Sequence, residues 1–129
     1  MTTARPSDEY VRRLPKAELH VHVEGAVRAA TIAELAAKNS VLLGVDDPAD
    51  LYSYRDLSDF LRVFDLVCRC LTSADDLHRV TYEALDIAAA AGVRYREMFF
   101  SPTFLMRHGV SFEHAICNTA MHTPTRNGL

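Results

Sequence analysis

Tryptophan is absent from the sequence, and cysteine occurs only three times. An odd cysteine count without framework spacing excludes a disulfide-stapled scaffold and fits a reducing compartment. No apolar run approaches the ~20 residues that a membrane-spanning helix needs. The opening stretch, MTTARPSDEYVRR, is polar and has no apolar core of the kind a secretory signal carries, so a cytoplasmic location is expected. Positive charge is not in excess either: Lys and Arg number 14 against 17 Asp and Glu, a net charge of -3. That balance gives no electrostatic reason to expect nucleic acid or an anionic membrane as a partner. Missing too are a glycine-rich phosphate loop, a Ser-His-Asp arrangement, internal repeats and low-complexity tracts.

What remains is ordinary globular material. The chain has 129 residues, 49% of them hydrophobic, which fits one domain. Residues 1–13 read as an arm. Residues 17–23 alternate, with Leu19, Val21 and Val23 on one face and His20, His22 and Glu24 on the other, which predicts a strand ended by Gly25. Thr31 to Asn39 is predicted helical, and the Gly44- and Pro48-bearing segment 41–50 reads as a loop. From Leu57 the spacing Leu57, Phe60, Leu61, Phe64, Val67, Cys68, Leu71 is that of a helix. Ser73 is placed to cap a further helix that Gly92 ends, and Val93 to Phe100 reads as a second strand stopped by Ser101-Pro102. Ser111 is placed to cap a last helix through Ala120. Two strands separated by a helical crossover predict an α/β chain with a parallel sheet.

His20 and His22 carry the most chemistry. On a strand, positions i and i+2 share a face with Cα atoms about 6.6–7 Å apart. Two neutral imidazoles there can converge on one metal ion, although catalytic zinc usually takes three protein ligands and a water. On spacing alone the pair reads first as the wet face of a half-buried strand, since His-x-His is common by chance. His22-Val23-Glu24 also matches the His-x-Glu of cytidine-deaminase-type zinc enzymes, but the Pro-Cys-x-x-Cys partner is absent. His78, His108, His114 and His122 have no second ligand at i+4 and read as solvated surface positions. Cys68 and Cys70, two apart on a helix, would point to different faces and read as small buried apolar residues. Glu97 stands among aromatics mid-strand and reads as a buried, hydrogen-bonded acid.

Three stretches in order carry a wider resemblance. LPKAELHVHVEGA (14–26), DFLRVFD (59–65) and GVRYREMFFSP (92–102) together resemble the adenosine/adenine deaminase family of amidohydrolases. The resemblance implies the N-terminal part of a (β/α)8 barrel with a helical insertion after its first strand. A complete barrel needs about 250 residues, so closure is not expected within 129. It also implies one Zn2+ ion, two of whose ligands fall on His20 and His22, and a substrate contact on Glu24, where many adenosine deaminases have Asp. Phe60, Leu61 and Phe64 match apolar residues over the purine pocket, although their spacing is equally that of plain helix packing. The implied reaction is hydrolytic deamination of a small-molecule purine at C6, with zinc-activated water and release of ammonia. The family's later ligands and proton-transfer residues have no counterpart here. No His-Ala-Gly-Glu occurs, and Asp46-Asp47-Pro48 lies too early to be the late-strand motif. The expected organisation is therefore an arm at 1–13, deaminase-like barrel elements at 14–116 and an irregular tail at 117–129. Turnover by these 129 residues alone is not expected. A non-catalytic remnant or interaction fragment, or another His-x-His amidohydrolase, are the other readings left open.

Overall fold

A computed structural model describes residues 5–114. Strand β1, Lys16–His22, pairs in parallel with β2, Val93–Phe99, in a two-stranded sheet. Their register runs from Lys16 opposite Val93 to His22 opposite Phe99. Between them the chain passes through α2 (Ala29–Lys38), α3 (Leu57–Cys70) and α4 (Ala74–Ala90). Helix α1 (Asp8–Arg13) precedes the first strand, and α5 (Pro102–Arg107) follows the second. Single 3-10 turns at Glu24–Ala26 and Pro48–Tyr52 complete the described elements. The order is that of an α/β chain with a parallel strand pair, as the sequence pattern predicts.

The helix starts follow from capping chemistry. The Asp56 side chain accepts the backbone N–H of Asp59 at 2.9 Å and opens α3. Ser73 accepts from Asp76 N–H at 3.2 Å, while the Asp76 carboxylate accepts the Ser73 N–H, so the two orphan donors are satisfied reciprocally. Gly92 ends α4 with φ +80, a conformation that costs an L side chain about 1–2 kcal/mol. A Cβ there would also come within 3.2 Å of the Arg12 carbonyl. The Lys16 ammonium fills the same corner. It donates to the carbonyls of Arg12, Leu14 and Ala91 at 3.2, 3.0 and 2.9 Å, which joins β1, the end of α1 and the end of α4.

The core lies among α2, α3 and α4. Ile32, Leu35, Val67, Cys68, Leu71, Leu77, Val80 and Leu105 are essentially shut off from solvent. Cys68 and Cys70 are both buried, as their reading as small apolar residues predicts, and burial pushes both thiols above their ordinary range. A polar seam borders this core. Asp76 Oδ1 accepts Lys38 Nζ at 2.6 Å, and Oδ2 accepts Asn39 Nδ2 at 3.2 Å and the Thr72 N–H at 3.2 Å.

Several expectations need correction. Segment 8–13 of the arm is helical, with Ser7 accepting the Tyr10 N–H. The strict alternation of β1 breaks: both Leu19 and His20 are exposed, and Val23 and Glu24 are both buried. An irregular ladder between Glu18 and Val21 is the cause at Leu19 and His20, and the 3-10 turn that begins at Glu24 is the cause at Val23 and Glu24. Glu97 is exposed and not buried, because no further strand among the described residues covers that side of β2. It does keep a hydrogen bond, from the Tyr95 hydroxyl at 2.7 Å. His108 is half-buried and paired with Asp65 Oδ1 at 3.0 Å, so it is a contact between α5 and α3 and not a solvated loop residue. Ser111 does accept the His114 N–H at 3.2 Å. The remainder of the helix expected to Ala120, the tail at 117–129 and His122 lie outside the described residues.

Candidate metal centre

The ladder between Glu18 and Val21 advances three residues on β1 against two on β2, from Arg96 to Met98. One extra residue therefore sits in β1, as in a β-bulge, and bulges re-aim side chains. His20 takes the left-handed conformation, φ 66, within it. The result is that the two imidazoles meet, with Nε2 of His20 3.2 Å from Nε2 of His22. Phe99, at the end of β2, stacks on His20 with ring centroids 4.5 Å apart and an interplanar angle of 26°.

Two elements frame His22. Phe64 from α3 presents its ring edge-on, at 6.0 Å and 87°. Phe64 is itself held in a perpendicular contact with Phe104 of α5 at 5.4 Å. On the other side, Nδ1 of His22 lies 3.3 Å from the Ser101 hydroxyl. Ser101 also donates its backbone N–H to Glu24 Oε1 at 2.5 Å.

Glu24 is 1% exposed. Its Oε2 is buried and has no hydrogen-bond partner among the described residues. Burial raises its carboxyl above the ordinary range; the hydrogen bonds from Ser101 and its own backbone, and the nearby His22, oppose that rise.

Of the six residues singled out from the sequence, four come together: His20, His22, Glu24 and Phe64. Phe60 stands one ring away, 6.0 Å from Phe64 and edge-on to Tyr54 at 5.3 Å. Leu61 is 47% exposed on the outer side of α3. Sequence reasoning missed Ser101, Phe99 and Phe104. Ser101 and Phe99 are visible in the sequence only as the end of a strand, and Phe104 falls where no element was expected.

The donor set suits zinc. Tetrahedral ligation with Zn–N of about 2.0–2.1 Å implies two nitrogens roughly 3.3–3.4 Å apart, and the observed spacing is 3.2 Å. Among the described residues no group of three or more His, Cys, Asp or Glu is placed to hold an ion. A cavity of about 310 Å³ between the 43–54 loop and α3, lined by Leu43, Tyr54, Arg62 and Leu66, includes neither histidine.

Residues 15–127 match the family model described as adenosine deaminase. The chain is 35% identical over 124 residues to an adenosine deaminase of Enterococcus faecalis, covering 92% of this chain and 36% of that protein. It superposes on the crystal structure of an adenine deaminase from Arthrobacter aurescens with a TM-score of 0.75 and 32% identity, over 82% of this chain and 33% of that one. An amidohydrolase from Burkholderia ambifaria, solved with bound Zn, gives the same TM-score of 0.75 and 32% identity over 88% of this chain and 33% of that one. The chain thus spans about a third of the length of the relatives it matches.

Proposed function

Because the chain belongs to the adenosine deaminase family, we propose that it forms the opening strands and helices of a zinc-dependent purine aminohydrolase. The proposed architecture is a (β/α)8 barrel. The proposed reaction is hydrolytic release of ammonia from C6 of adenine, adenosine or a related 6-aminopurine. One observation carries the reading: the Nε2 atoms of His20 and His22 meet at 3.2 Å beside a buried Glu24 that keeps one oxygen unpaired among the described residues.

In this reading His20 and His22 hold the zinc ion. When bound, zinc supplies a water whose pKa lies near ~7, so that hydroxide is available at neutral pH. The residues of this chain bind and orient. His22 is fixed on both sides, by Phe64 and Ser101. Glu24, anchored through Oε1, offers Oε2 as an acceptor for a donor group of the purine or its ribose. A buried acceptor left unmatched costs about 1–3 kcal/mol, so a substrate donor that meets it gains most of that back. Phe64, with Phe60 one ring beyond it, forms an apolar wall for the purine ring. Further ligands and the proton-transferring groups belong to later strands of the barrel.

The isolated chain tests this reading. With zinc, it should bind one ion per chain in equilibrium dialysis. The His20→Ala, His22→Ala double variant should lose that ion, and the wild-type chain should show no conversion of adenine or adenosine by purine absorbance, since two imidazoles leave the catalytic ligand set incomplete. Undiminished zinc binding in the soluble double variant would sink the assignment.

A further inference from the structure

We propose that Ser101 is a positioning residue that sets His22 and Glu24 relative to each other, and that its hydroxyl fixes the imidazole tautomer that His22 offers to a metal. The proposal rests on the reading of His20 and His22 as zinc ligands.

Ser101 stands at the N-cap of α5, where a serine hydroxyl ordinarily accepts a backbone N–H from the first helical turn. Here it makes no such bond. Its hydroxyl lies instead 3.3 Å from His22 Nδ1. The backbone N–H of the same residue reaches Glu24 Oε1 at 2.5 Å. One residue at the C-terminal end of β2 therefore touches both functional groups contributed by the β1 segment, across 79 and 77 positions of sequence.

The tautomer follows from counting protons. A neutral imidazole carries one N–H and one lone pair. If His22 donates Nδ1–H to Ser101 Oγ, its Nε2 keeps a lone pair. That lone pair accepts the Nε2–H of His20 at 3.2 Å without metal, and is free to ligate zinc once His20 shifts its own proton to Nδ1. If Ser101 donated to Nδ1 instead, His22 would carry its proton on Nε2, the atom that must ligate. The contact between the two Nε2 atoms is met by either donor, but only the first arrangement leaves His22 Nε2 a lone pair for a metal. Partners of this kind, on the far nitrogen of a ligating histidine, fix ring orientation and tautomer, and their loss typically costs 10–100-fold in metal affinity.

Because the hydroxyl caps no helix, Ser101→Ala removes only the His22 contact and leaves the N–H to Glu24 in place. Two measurements on the full 129-residue chain test the proposal. The first needs no variant: long-range 1H–15N correlation of the metal-free chain should show His22 as the Nδ1–H tautomer, and an Nε2–H tautomer overturns the proposal. The second is zinc competition against a chromophoric chelator. Ser101→Ala should bind about 10- to 100-fold more weakly with an unchanged melting temperature, and Ser101→Thr, which keeps the hydroxyl, should recover wild-type affinity. Equal affinity of Ser101→Ala and wild type overturns the proposal, as does a loss that Ser101→Thr does not repair. Failure of the zinc reading looks different: wild type and His22→Ala would then bind zinc alike, while the tautomer still decides whether Ser101 governs His22.

Discussion

Glu24 Oε2 is a single buried oxygen without a partner among the described residues, in a side chain that is 1% exposed. Burying a carboxylate with one lone-pair set unmatched is unfavourable for the fold, and such groups persist where they serve binding. Glu24→Gln should expose that trade. The amide carbonyl keeps the bond from Ser101 N–H, and a neutral side chain removes the penalty that burial places on the ionised carboxyl. We expect the urea midpoint at pH 7 to rise, by about 1 kcal/mol of unfolding free energy, and purine affinity of the zinc-loaded chain to fall. A lower midpoint with affinity unchanged would show that Glu24 is a structural acid. At this scale the sequence is informative about which residues matter and silent on how they are held. His20 and His22 stand out because two-residue spacing on a strand is local geometry. Ser101 does not, because its partners lie 77 and 79 positions away and only folding brings them within reach.

Helices with their start and stop signals in adjacent residues were legible as elements. Ser73 and Gly92 bound α4 because a hydroxyl cap and a left-handed glycine act within one turn of the helix. Helix α5 was not legible: six residues are too few to display a period, and its Pro102 reads equally as the stop of β2. The bulge in β1 was hidden for a related reason, since period-two alternation assumes that no extra residue interrupts the ladder. The joint between α2 and α4 offers a test by pH. Burial works against the Asp76 charge, but hydrogen bonds from Lys38, Ser73, Asn39 and the Thr72 backbone outweigh it and hold the carboxyl below its ordinary value. A carboxyl lowered by folding stabilises above its unfolded pKa, and that stabilisation is lost as pH falls through the folded value. Asp76→Asn should therefore be less stable than wild type at pH 7, by about 2 kcal/mol, and the two unfolding curves should converge below roughly pH 4. Parallel curves down to acid pH would exclude Asp76 as the group responsible.

For the molecule as a whole, the two parallel strands pair with each other and with nothing else among the described residues. Leu19 is 66% and Tyr95 55% exposed on them. Unpaired strand edges flanked by apolar side chains invite pairing with another chain. Sedimentation velocity should accordingly show association that grows with concentration, and Leu19→Lys with Tyr95→Lys should reduce it; a monomer at all concentrations would mean that these edges are protected. A parallel sheet was legible as a class from the strand, helices, strand order. What lies beside it was not, since pairing partners for these edges are non-local. The opposite end of the sheet is closed by different means. Lys16 and Lys38 are the only lysines in the sequence. One has its ammonium seated on three carbonyls, the other on Asp76. Amine chemistry, whether an acylating reagent, a cross-linker or an enzymatic acyl transfer, therefore finds no idle lysine on this protein. Any adduct at Lys16 would unfasten the corner where α1, β1 and α4 join.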